Sequence, residues 1–182
     1  MGELAGGDLV GDLGEVDSGT GSHGPWRVTA KLKRRRDAWV LVLNREEPDR
    51  DDADTASARL EFDSLERLLE PFRDVRWRVE GGHPARPEAG TRLVTRLLGM
   101  TGLEIVHTWR GIGGDIGQSG RSIDLVLLRH RDSGGYHLFV HGPGSGHGLW
   151  PPELADTLER LAPDLRRRCE EHLASHRGGK HA

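Results

Sequence analysis

A chain of 182 residues with a formal net charge of −3 and 35% hydrophobic residues is long enough for one ordinary domain with a modest core. Its single cysteine, Cys169, excludes an intramolecular disulfide, and no apolar run approaches the roughly 20 residues that a membrane helix requires. The expectation is a soluble protein of a reducing cytoplasm with no membrane role, whose overall charge gives no ground by itself for binding nucleic acid.

The charge is uneven along the chain. Residues 1–25 hold Glu3, Asp8, Asp12, Glu15 and Asp17, many glycines, and no Lys or Arg. They lack helical and period-two patterning. Such a segment buries too little apolar surface to offset the entropy of ordering, so 1–25 is expected to be a disordered tail. A single α+β domain is expected over 26–176, with a disordered end at 177–182.

From Trp26 onward, period-two alternation dominates. Trp26, Val28, Ala30 and Leu32 alternate with Arg27, Thr29, Lys31 and Lys33. A charged turn at 34–37 leads to the apolar run 38–43, which completes a β-hairpin with one wetter and one buried strand. The acidic stretch 44–58 reads as a solvated loop, closed by a short strand near 58–62. Asp63 or Ser64 can cap a helix over 64–72, with Leu65, Leu68, Leu69 and Phe72 on one face. Val75, Trp77 and Val79 then alternate with Arg76, Arg78 and Glu80, which reads as a strand. Pro87 opens a second helix reaching Leu98, stopped by Gly99 and Gly102.

Three strands follow in succession. Leu103, Ile105, His107 and Trp109 form one face of the first; the others cover 122–129 and 136–141, and their Gly-containing turns imply antiparallel pairing. Pro151 and Pro152 open a helix with Leu154, Leu158 and Leu161 in phase, and Pro163 starts or kinks a second stretch to His176. The order ββ(β)αβαβββα describes an α+β fold: a mainly antiparallel sheet of five to six strands with helices packed on one face.

The strongest site candidate is the end of the last strand, where His141 runs into Gly142, Pro143, Gly144, Ser145, Gly146, His147 and Gly148. Bare glycine N–H groups can form an anion nest, with His141 and His147 as proton donors or ligands. The loop is neither a P-loop, which ends in Gly-Lys-Ser/Thr, nor a nucleophile elbow, because Pro143 and His147 stand where Ser145 would need glycines. The other glycine loop, 111–120, lacks the dinucleotide fingerprint and offers only Asp115 at its tip. His107, His130 and His141 fall on three consecutive strands and can converge with Asp115 or Asp124. That arrangement would give a metal-assisted or acid/base site, although no set of metal ligands is assigned. Arg27, Lys31, Lys33, Arg76 and Arg78 occupy the polar phase of their strands and would make a basic stripe on the helix-free face.

The favoured reading is a small accessory or binding protein that acts through protein–protein contacts, immunity-, chaperone- or regulator-like in kind. Two alternatives stand beside it. One is a small hydrolase or transferase using the strand-end Gly/His loops. The other is nucleic-acid binding through the basic sheet face. The sequence leaves the cofactor unknown.

Overall fold

The computed structural model describes residues 8–21, 24–47, 56–81, 102–114, 123–145 and 148–178. They form β1 (Asp8–Gly21), β2 (Gly24–Arg35), β3 (Ala38–Glu46), β4 (Ala56–Phe62), α1 (Leu65–Gly81), β5 (Leu103–Trp109), β6 (Asp124–His130), β7 (Tyr136–His141) and α2 (Leu154–Gly178). The class is α+β. The strands, however, divide into two antiparallel sheets, β1-β2-β3-β4 and β5-β6-β7, where a single sheet was expected. The expected helix over 87–98 lies outside the described residues, and so do residues 1–7 and 179–182. No helix among the described residues is long and apolar enough to cross a membrane.

The β2–β3 hairpin forms as its alternation predicts. Leu32 pairs with Leu41 and Ala30 with Leu43, and all four turn inward. One buried cluster joins this inner face to Leu68 and Phe72 of α1, Leu158 and Leu165 of α2, and Leu125, Leu127 and Leu138 of the second sheet. Burial of such side chains is the main term holding the layers together.

Residues 8–21, expected inside a disordered tail, form a strand antiparallel to β2. The register shifts at three places, skipping Val10, Leu13 and Val16. These three pack against the core. Each bulge adds one residue to the strand, so its inward apolar positions recur every third residue. A search for period two sees nothing in such a segment.

The strand expected at 75–79 is instead the second half of α1, which runs through Pro71 to Gly81. Leu68, Leu69, Phe72 and Val75 are buried on one helical stripe. Val75 is three residues beyond Phe72, so it extends the helical spacing as well as it starts an alternating one. Trp77 then falls on the outside, 58% exposed. Arg76 and Arg78 are therefore helical, not part of a sheet face. At the other end of the chain, α2 continues through Pro163 as one helix instead of two stretches.

β5 carries a bulge between Ile105 and His107. The bulge splits the single face expected for Leu103, Ile105, His107 and Trp109. Leu103 and Ile105 join a second cluster with Val126, Leu128 and Phe139, while Val106 and Trp109 pack into the main core.

Ionic contacts tie α1 to α2. Arg73 Nε donates to both carboxylate oxygens of Glu159 at 3.3 Å, and Arg73 Nη1 donates to Glu66 at 3.2 Å. Arg166 Nε donates to Glu66 at 3.0 Å, and Arg76 pairs with Asp156 at 2.9 Å. The hydrogen bonds from Arg166 and then Arg73 hold the Glu66 carboxyl below its ordinary value of 4.5. A carboxyl lowered on folding adds stability above its unfolded value and loses it as pH falls through its folded value. Glu66→Gln is therefore expected to lower the thermal midpoint at neutral pH. That difference should fade as the pH drops below 4.5 and shrink in high salt, since these groups are exposed. Calorimetry across pH checks it.

At the β2–β3 turn, Arg36 adopts φ 48°, a conformation that disfavours side chains with a Cβ. Arg36→Gly is expected to gain about 0.5–1 kcal/mol in urea unfolding, by relieving that strain.

Candidate functional site

A concavity of 780 Å³ forms a groove between α1 and the segment that follows β5. One wall is a single stripe of α1: Arg67, Glu70, Pro71 and Asp74. Residues spaced three and four apart along a helix share one face. Pro71 has no N–H, so the carbonyl of Arg67 loses its helical donor on this same wall. The opposite wall is Trp109 with residues 110–114.

Asp74 fastens the two walls together. Its Oδ2 accepts from Trp109 Nε1 at 2.9 Å and from Arg78 Nε at 3.0 Å. The Arg78 guanidinium lies 5.8 Å from the ring centres of both Trp77 and Trp109, within cation–π range. Backbone contacts fix the loop wall. Ile112 N donates to Ile123 O at 2.9 Å, Gly111 N donates to Asp124 Oδ1 at 3.1 Å, and Gly113 O accepts from Asp63 N at 2.9 Å.

The glycines of this loop are required by shape. Gly113 has φ +89°, and a Cβ there would overlap the Glu61 carbonyl oxygen, which is backbone and cannot swing aside. Gly113→Ala is expected to cost about 2–4 kcal/mol in urea unfolding through strain and displaced packing. It should also shift the Trp109 indole signal in an NMR spectrum.

The loop after β7, the first candidate from sequence, serves the edge of β4. Ser145 Oγ accepts from Arg59 N at 3.1 Å and donates to Arg59 O at 3.4 Å. Gly144 lies against the Arg59 side chain, Gly142 against Ile123, and Gly148 against Ala56. Gly146 and His147 lie outside the described residues, as does Asp115.

The strand histidines do not converge. Leu103 pairs with His130 at one end of β6, and Asp124 pairs with His141 at the other. Six residues of strand separate those ends by roughly 20 Å. His107 lies mid-strand with its ring against Trp109, centroids 4.6 Å apart. Among the described residues, no group of three or more His, Cys, Asp or Glu is placed to hold a metal ion. Burial pushes the Cys169 thiol up to about 11, so it stays protonated at neutral pH.

The basic stripe is broken up. Arg76 and Arg78 belong to α1. Of the hairpin residues, Arg27 pairs with Glu46 at 2.6 Å and Lys31 with Asp12 at 3.9 Å, while Lys33 stays on β2 opposite Val40. Nearby, Glu61 is buried between Arg35 at 3.6 Å and Arg59 at 3.2 Å.

The groove went unread because its walls are far apart in sequence and the α1 wall extends past the expected helix end at residue 72. Pro71 within a helical stripe was the one available signal. In comparison with known proteins, the chain matches no protein-family model, no curated protein and no solved structure.

Proposed function

We propose that this chain is a binding or accessory protein that acts through protein–protein contacts, with the groove between α1 and residues 109–114 receiving a segment of its partner. The observation that carries this reading is the make-up of the groove. It is open, and its walls carry a fixed indole and a glycine backbone opposite the Pro71 turn of α1. Arg67, Glu70 and Arg110 line it with both signs of charge. A mixed apolar and polar surface of this kind suits a peptide segment, whose backbone brings its own donors and acceptors. The hydrolase or transferase alternative finds less support, since His130 and His141 stand at opposite ends of β6. Nucleic-acid binding finds less as well, because carboxylates interleave with the cations of the first sheet.

Site-specific photocrosslinking in cells tests the proposal. A benzophenone side chain at Glu70 in the groove should give one discrete adduct. The same group at Glu170, exposed on α2, should not. Absence of any groove adduct, or the same smear from both positions, would count against the groove as the contact surface.

A further inference from the structure

A second pair of cavities meets at Arg45, away from the groove. One, of 310 Å³, is lined by Trp26, Val28, Trp150 and Leu154 with Asp17 and Thr157. The other, of 470 Å³, is lined by Tyr136, His137, Leu149 and Pro152. Arg45, Pro151 and Glu153 line both. The walls of the first are firm. Val28, Trp150, Leu154 and Thr157 are buried, and Trp26 is held between Gly19 of β1 and the Arg45 guanidinium, 4.9 Å from its ring centre. A volume just above 300 Å³ sits at the small end of the range for ligand sites, about 300–1,000 Å³.

The polar groups are unevenly satisfied. Asp17 is fully engaged: its Oδ2 accepts from Thr157 Oγ1 at 2.6 Å and pairs with Arg160 at 3.1 Å. Arg45 is different. It lies 3.5 Å from Glu47, its side chain is only 17% exposed, and its Nε is buried with no hydrogen-bond partner. That Nε is sealed from the cavity as well as from water, so a ligand meets Arg45 through the part of its guanidinium that lines both cavities, where Glu47 supplies only a single 3.5 Å contact. A simple anion would be opposed, because Glu47 already faces Arg45 and Asp17 and Glu153 line the same space. A ligand whose carboxylate is accompanied by its own cation avoids that repulsion, since Glu153 is exposed and can face the cation.

We propose that the Arg45 cavity binds an apolar α-amino acid as its zwitterion. The carboxylate accepts from Arg45, the ammonium group faces Glu153, and the side chain lies between Trp26 and Trp150. This site uses β1, β2, β3 and the start of α2, so it stands or falls apart from the groove.

Titration of the full chain with L-phenylalanine, 3-phenylpropionate and phenylalanine amide tests it, followed by tryptophan fluorescence and the indole N–H signals. L-phenylalanine should saturate and move the Trp26 and Trp150 signals. The two analogues, each lacking one charge, should bind at least about tenfold more weakly, the loss expected for one charge-assisted hydrogen bond. Arg45→Met should weaken L-phenylalanine by a similar factor while circular dichroism stays unchanged. If that variant does not fold, Arg45→Lys keeps the charge but replaces the planar guanidinium fork with a single ammonium group and should show the same loss. The proposal is overturned if L-phenylalanine does not saturate, if 3-phenylpropionate binds as well as the amino acid, or if a folded Arg45 variant binds L-phenylalanine like the parent.

Discussion

The free edge of β4 is the constraint around which the rest of the structure is arranged. An outer strand leaves a row of N–H and C=O groups that must find partners or face water. Here both glycine loops of the second sheet close on that edge. Ser145 takes the backbone N–H and carbonyl of Arg59, and Gly113 takes the N–H of Asp63. Gly113, Gly144 and Gly148 each lie so close to β4 that a Cβ would collide with it. Two separate sheets thereby become one body around a shared core. The loop that covers the edge at Asp63 is also the far wall of the groove, so the groove is a consequence of how the edge is closed.

This explains why glycine spacing alone was a poor guide to a site. Alternating glycines read as an anion nest, but the same feature is what lets a loop approach a strand edge closely. Ser145 looked like a candidate ligand group, and its hydroxyl is occupied on both sides by Arg59. Nothing in the local sequence separates these roles, because the deciding partner lies 86 residues away.

Elements with one clean period were legible. The β2–β3 hairpin, β6 and β7 followed from patterning and turn residues, while β4 and β5 were expected as strands without the two extra residues at the start of β4 or the bulge in β5. Elements in which two periods compete were not. In β1 the bulges at Val10, Leu13 and Val16 replace period two with period three, and the glycines and acids around them mimic disorder. In α1, Val75 and Val79 fit a strand and a helix equally, and only packing against the core decides, leaving Trp77 outside. In β5 a single bulge moved half of an apparent face to the other side of the sheet. Arg73 and Arg166 meet carboxylates from another helix or turn, a pairing that sequence spacing cannot display.

The bulged strand also bears on why the Arg45 cavity exists. A long, flat edge strand invites pairing with other chains, and bulges and charges are the usual ways to blunt it. Asp12 faces Lys31 across β1 and β2, and Gly19 lies flat against Trp26. A residue with a side chain at position 19 would push the Trp26 ring toward Arg45 and into the space between them. Asp17 pins the same strand to α2 through Thr157 and Arg160. The glycine-rich, acidic composition that reads as disorder therefore does two structural tasks. It guards an edge, and it sets Trp26 back far enough to leave a lined cavity beside the Arg45 guanidinium.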